Sequence, residues 1–198
     1  MLKFSDFPIR MSDVSENQDN PGTSYKPTLE KLIAAGIRGL AVRVGFGIVL
    51  DKLFRYFWSL AKKHMDRKPY FYGDYYSHRN TGTSDTEWGE EQAYTAYEAL
   101  KDDPGEMPLA LDCEESGYGG RITFLNKTSY NRIMKAFCLK YDALMGGTCE
   151  IYTSPGLLWV FEDWAKDRGL WLAWYNRSIT YEQILAKVKA SGWRGPVR

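Results

Sequence analysis

The residues best suited to chemistry in this 198-residue sequence are two acids, Asp112 and Glu114, at the end of a short apolar segment. Residues 109–113 predict a β-strand, and residues two apart in a strand point to the same face, so the two carboxyl groups should project together. Neighbouring carboxyl groups do not ionise independently, because the first negative charge raises the pKa of the second. A solvated pair of acids at a strand end is the alternative interpretation.

One protonated and one ionised carboxyl group is the combination that glycoside cleavage requires. The acid protonates the leaving oxygen, and the carboxylate stabilises or attacks the cationic sugar centre. Asp13 ends the first predicted strand, and the carboxyl ends of parallel strands meet at one rim of a barrel. It is therefore a candidate third acid, with capping of a turn as the alternative.

Further candidates follow the other predicted strands. Arg43 stands inside an apolar strand, where a charged side chain needs a partner, and we expect an ion pair with a carboxylate of the rim. Gly73 would allow a ligand to approach the backbone closely. Polar and aromatic residues at the strand ends could line a sugar subsite, with core packing as the alternative; they are Asp74, Tyr75, Tyr76, Tyr152, Trp171, Trp174 and Tyr175.

Short apolar segments alternate with longer amphipathic ones, which is the pattern of repeated βα units. This alternation predicts parallel strands with right-handed crossovers, closed completely or partly into a barrel in a single α/β domain, residues 1–198. Thr28 and Asp51 are predicted helix caps. Strands are predicted at 9–14, 39–44, 69–76, 109–113, 149–152 and 169–174, and helices at 28–35, 51–65, 85–100, 128–145, 157–167 and 181–189.

Composition narrows the classes of function. Basic and acidic side chains number 26 and 25, which gives no strong attraction to nucleic acid or to an anionic membrane. Three cysteines without CxxC spacing and two histidines argue against zinc, and no cofactor is expected. The sequence contains no P-loop, dinucleotide-binding or G-x-S-x-G motif. We expect neither a signal peptide nor a membrane-spanning segment.

Several short motifs resemble those of the glycoside hydrolase family 25 lysozymes, also called Chalaropsis-type muramidases. The family's opening strand ends in Asp-Val-Ser, as do residues 13–15 here. Its next strand carries Arg and a pair of glycines, as in residues 42–47, and an Asp precedes the following helix, as Asp51 does.

The resemblance continues in order and covers residues 9–176. A Gly-x-Tyr-aromatic strand end is matched at 73–76, and the P-x-x-L-D-x-E motif is matched at 108–114. The later I-Y-T-S and W-[IL]-A-x-Y motifs are matched at 151–154 and 171–175. Each motif is short, and it is their order and spacing that make the resemblance specific.

The resemblance implies a flattened TIM-like (β/α) barrel that hydrolyses the β-1,4 bond between N-acetylmuramic acid and N-acetylglucosamine. By position, Glu114 resembles the general acid, and Asp112 resembles the partner that assists the substrate's N-acetyl group or stabilises the cation. Asp13 resembles the supporting acid, and Tyr75, Tyr152 and Trp174 resemble cleft residues. The implied partner is bacterial peptidoglycan, reached by a monomeric, phage-type endolysin released from the host cytoplasm.

The sequence also departs from the family. Residues 16–19 replace the usual turn after the first strand, and Cys113 stands between the two acids. The family's last W-Q-Y strand and a further acid would follow Arg198, so we expect an incomplete barrel, truncated at its C-terminus. This leaves open a glycan-binding module without activity. A chitinase-like barrel is the third alternative, but its D-x-x-D-x-D-x-E ladder is absent, since Pro108 and Ala110 precede Asp112.

Overall fold

The computed structural model describes residues 10–19, 29–115, 121–175 and 178–197. The strands of this part form one sheet in the order β1-β2-β4-β5-β6-β7, with all of these neighbours parallel and β3 antiparallel to β2. The sheet curls into a half-barrel, which confirms the α/β class and the incomplete closure. The strands are β1 (Met11–Val14), β2 (Gly39–Phe46), β3 (Val49–Leu50), β4 (Asp66–Tyr72), β5 (Ala110–Asp112), β6 (Glu150–Thr153) and β7 (Leu170–Leu172).

Helices connect the parallel strands, as the alternation of segments predicts. The longest covers residues 127–145 and is followed by Gly146, whose φ of 71° suits a glycine at a helix C-terminus. Within the described residues, no helix combines the length and the hydrophobicity that a membrane-spanning segment needs. The helices are α1 (Leu29–Ala34), α2 (Phe54–Ala61), α3 (Asp85–Leu100), α4 (Lys127–Met145), α5 (Asp163–Lys166) and α6 (Tyr181–Ala190).

Alternate residues of the strands point to opposite faces of the sheet, and one of these faces forms the site. Phe71, Leu111 and Ile151, from three neighbouring strands, are completely buried in the apolar core. Their neighbours in sequence, among them Asp112 and Tyr152, line a cavity on the concave side of the sheet. The period of two in a strand therefore separates an apolar face from a polar and aromatic one.

The predicted helix at 157–167 is wrong, because the chain there forms a 3₁₀ turn, Leu158–Val160, and then α5. The buried amide of Asn131 explains the break. It donates to the carbonyl of Val160 (2.9 Å) and accepts from the backbone N–H of Glu162 (3.2 Å). These bonds hold Phe161 in an extended conformation and replace the hydrogen bonds that a continuous helix would make.

The sequence predicts a strand that continues to residue 76, but β4 ends at Tyr72. The backbone of Asp74 is bound by side chains of α3 instead of by a neighbouring strand. Gln92 accepts from its N–H at 2.8 Å, and Gln92 and Trp88 donate to its carbonyl at 2.9 and 2.7 Å. Residue 9 of the first predicted strand and the predicted cap Thr28 lie outside the described residues.

Candidate active site

A cavity of about 460 Å³ opens at the carboxyl ends of the strands, where barrel enzymes carry their catalytic groups. It brings together seven of the residues singled out from the sequence: Asp13, Arg43, Asp112, Glu114, Tyr152, Trp171 and Tyr175. The other lining residues are Ser15, Asn17, Gln18, Tyr70, Tyr72 and Ala173.

Backbone hydrogen bonds on both sides of β5 fix the position of the two acids. The carbonyl of Asp112 accepts from the N–H of Gly73 at 2.9 Å, and the N–H of Cys113 donates to the carbonyl of Tyr152 at 2.8 Å. The hydroxyl of Thr153 donates to the carbonyl of Cys113 at 2.7 Å. The Cys113 side chain lies fully in the core, so the residues before and after it face the cavity.

Asp112 and Glu114 both have raised pKa values. Burial is the main cause for Asp112, whose pKa is well above its ordinary value, and the negative charge of Glu114 raises it further. Its Oδ1 is buried and has no hydrogen-bond partner among the described residues. Glu114 is less buried, and its pKa is raised by burial and then by the charge of Asp13. Burial therefore favours the neutral form of both carboxyl groups, and Asp112 is the more deeply buried of the two.

Tyrosine hydroxyl groups and aromatic rings surround the acids. Burial and the charge of Asp13 raise the pKa of Tyr70, and burial and a hydrogen bond with Tyr175 raise that of Tyr152. Both phenols therefore stay neutral and can donate to a hydroxyl or acetamido oxygen of a sugar. The ring of Tyr152 packs edge-to-face on Trp171, with centroids 4.9 Å apart, which leaves a rigid aromatic wall.

Arg43 forms the expected ion pair, but its partners are Asp51 and Glu16 rather than the candidate catalytic acids. Its Nε donates to Asp51 at 2.8 Å, and its Nη2 lies 3.4 Å from a carboxylate oxygen of Glu16. The buried carboxylate of Asp51 also accepts from the N–H groups of Glu16 and Leu53, each at 2.9 Å. Asp51 therefore joins β2 to the turn after β1. Because α2 begins only at Phe54, the Asp51 side chain caps the turn that leads into this helix rather than the helix itself.

Removal of the Asp51 carboxylate should destabilise the protein strongly. In an Asp51→Ala variant, Arg43 would keep only the partly exposed Glu16, and two backbone N–H groups would lose their acceptor. We expect the free energy of unfolding, measured in urea, to fall by about 3–5 kcal/mol. The exposed Asp102→Ala serves as the matched control, and an equal effect of both substitutions would contradict this role for Asp51.

Four residues that the sequence offers as candidates for a sugar subsite do not line this cavity: Asp74, Tyr75, Tyr76 and Trp174. Tyr75 is only 1% exposed and packs edge-to-face on Tyr130 in the core, with centroids 5.1 Å apart. The carboxylate of Asp74 accepts from the N–H groups of Tyr76 and Ser77, at 2.9 and 3.2 Å, so it organises a turn. Trp174 does not line the cavity, and the ammonium of Lys187 lies 5.3 Å from its ring centroid.

Gly73 is needed for packing rather than for a ligand. A Cβ atom at this position would lie 2.6 Å from the sulfur of Met134, so the absent side chain makes room for α4. The end of β4 at Tyr72 also explains why Tyr70 and Tyr72, and not Tyr75, reach the cavity. The alternation of residues 70–72 was the available signal, because both tyrosines lie on one face of the strand.

The turn after β1, which departs from the family's motif, also contributes to the cavity. The side-chain oxygen of Gln18 accepts from the hydroxyl of Ser15 at 3.1 Å, and both residues line the cavity with Asn17.

No group of His, Cys, Asp and Glu side chains within the described ranges is arranged to hold a metal ion. The three cysteines, all of which the structure describes, are buried free thiols that form no disulfide bond.

Comparison with known proteins supports the fold. No protein-family model and no curated protein matches the sequence. Among solved structures, a muramidase from Acremonium alcalophilum superposes with a TM-score of 0.69 and 20% identity, over 87% of this chain and 80% of that one. A muramidase from Trichobolus zukalii gives 0.67 and 22%, over 86% and 79%.

A family GH25 lysozyme from Aspergillus fumigatus superposes with a TM-score of 0.64 and 20% identity, over 85% of this chain and 78% of that one. Such identities establish the fold alone. The agreement nevertheless extends over most of both chains. The fold of this chain is therefore that of the glycoside hydrolase family 25 lysozymes.

Proposed function

We propose that this protein is a peptidoglycan hydrolase, a muramidase that cleaves the β-1,4 bond between N-acetylmuramic acid and N-acetylglucosamine. The observation that carries the proposal is the pair Asp112 and Glu114, which share a cavity and both have raised pKa values. Acid-catalysed glycoside cleavage needs one protonated and one ionised carboxyl group, and a pair of carboxyl groups with raised pKa values can supply both.

Glu114 is the proposed general acid. In the ligand-free protein burial favours the neutral form of both carboxyl groups, and Asp112 is the more deeply buried. A bound glycan would exclude water from the half-buried Glu114 and raise its pKa further. Protonation of Glu114 would also remove the charge that raises the pKa of Asp112, so substrate binding favours an acidic Glu114 and an ionised Asp112.

The ionised Asp112 can then stabilise the positive charge that develops on the sugar, directly or by orienting the substrate's acetamido group. Asp13 lies on the same cavity and adds negative charge on the side of β1. Tyr70 and Tyr152 provide hydroxyl donors, and Trp171 provides an apolar ring face for a pyranose. No step of this scheme requires a cofactor.

The proposed substrate is the glycan of a bacterial wall, and the proposed delivery is that of a phage-type endolysin, acting as a monomer. A turbidity assay on purified peptidoglycan tests the activity. We expect the protein to clear the suspension and to release soluble fragments with new reducing ends. Firm binding to the walls without any new reducing ends would overturn the proposal and favour a glycan-binding module without activity.

A further inference from the structure

A second cavity, of about 360 Å³, lies beside the first. It is lined by Glu114, Glu115, Ser154, Gly156, Leu157 and Trp159. Glu114 is the residue that the two cavities share within the described part of the chain. The proposed proton donor therefore stands at the boundary between two concave surfaces, and Asp112 and Asp13 line only the first of them.

The second cavity has an aromatic ring at its edge that packs against another exposed ring. Trp159 is 41% exposed and Phe124 is 84% exposed, and their ring centroids are 4.9 Å apart. Lys127, the first residue of α4, donates to the carbonyl of Trp159 at 3.1 Å and lies 5.6 Å from the centroid of its ring. The indole is thus held in place while much of its surface remains open to a ligand.

We infer that the second cavity binds the sugar on the leaving-group side of the scissile bond, with Trp159 stacked on the face of that sugar. This inference rests on the proposed function. A general acid must lie over the oxygen that joins two sugars, so the residue shared by two cavities marks that oxygen. The sugar that becomes cationic belongs in the first cavity, because the carboxylates that stabilise positive charge are there.

This assignment fixes the direction of the chain and the chemistry of the ligand. For the proposed muramidase, N-acetylmuramic acid lies in the first cavity and N-acetylglucosamine in the second. The stem peptide is attached to the muramic sugar, so Trp159 contacts a sugar that carries no peptide. Ser154 and Glu115 can exchange hydrogen bonds with its hydroxyl and acetamido groups. Trp159 should therefore matter equally for glycan strands with and without peptides.

The test compares Trp159→Ala and Trp159→Phe with Tyr94→Ala, in which Tyr94 belongs to an exposed aromatic pair on α3 that lines neither cavity. The substrate is glycan whose stem peptides have been removed with an amidase. We expect Trp159→Ala to raise KM about tenfold with little change in kcat, because stacking contributes equally before and in the transition state. Trp159→Phe should recover much of the loss, and Tyr94→Ala should have no effect.

A binding experiment separates failure of this inference from failure of the proposed function. The Kd of peptide-free glycan oligomers is measured calorimetrically for Glu114→Gln protein with and without Trp159→Ala. A Kd that rises about tenfold supports the inference even if no hydrolysis is found. An unchanged Kd and KM would overturn it, as would a loss that appears only with peptide-bearing strands, since the occupant would then be the peptide.

Discussion

Replacement of Glu114 by Gln is expected to reduce the rate of wall hydrolysis by about 10²–10⁴-fold, which is the usual contribution of a general acid. Glutamine has nearly the same shape but no proton to donate to the leaving oxygen. Both cavities that Glu114 lines should keep their form, because the backbone on either side of β5 is fixed by hydrogen bonds to its neighbours. The measurement is the initial rate of reducing-end release from purified peptidoglycan.

Binding and stability distinguish this loss from a folding defect. Glu114→Gln protein should still sediment with walls, and its free energy of unfolding should not fall, because a half-buried charge has been removed. Glu91→Gln, an exposed change on α3, should hydrolyse walls at the wild-type rate. Equal rates for wild-type and Glu114→Gln protein would show that another residue supplies the proton.

Replacement of Asp112 by Asn should reduce the rate by about 10²-fold or more, because the variant lacks the carboxylate that stabilises the cationic sugar. The pH profile should change as well. In the wild type, activity requires one proton on the pair, so the rate falls at low pH, where both carboxyl groups are protonated, and at high pH, where neither is. The residual activity of Asp112→Asn should lose the acidic limb and keep the alkaline limb, which belongs to Glu114.

The pH dependence of the free energy of unfolding of Asp112→Asn protein is an independent test of the raised pKa of Asp112. Folding raises the pKa of Asp112, so the folded state holds a proton that the unfolded chain has already lost above its ordinary pKa of about 4. This carboxyl group therefore makes its full contribution to the free energy of unfolding at low pH. The contribution declines as the pH rises from the unfolded-state pKa of about 4 toward the raised pKa of the folded state. Asp112→Asn should remove this decline, whereas Asp102→Asn, on an exposed turn, should leave it unchanged.

The sequence predicts those parts of the site that depend on a short and regular pattern. The two-residue spacing of Asp112 and Glu114 places both on the cavity, because a strand returns to the same face at every second residue. Asp13 and Tyr152 reach the same cavity because parallel strands end on one side of the sheet. The expected partner of Arg43 is likewise a carboxylate near the rim, although which one depends on tertiary structure.

The predictions that fail depend on contacts between elements distant in sequence. Tyr75 belongs to the core because side chains of α3 bind the backbone of Asp74 and end β4 early. Asn131 similarly divides the helix predicted at 157–167. In both cases polar side chains replace regular backbone hydrogen bonds. The local pattern of apolar residues does not indicate these long-range hydrogen bonds.

The identity of the new reducing end tests the central claim most directly. Purified peptidoglycan is digested with the protein, the products are reduced with borohydride, and the amino-sugar alcohols are identified by mass spectrometry after acid hydrolysis. Glu114 acting between an N-acetylmuramic acid in the first cavity and an N-acetylglucosamine in the second must leave muramic acid at the new end, so muramitol should accumulate with time. Accumulation of glucosaminitol, or of neither alcohol, would contradict the account.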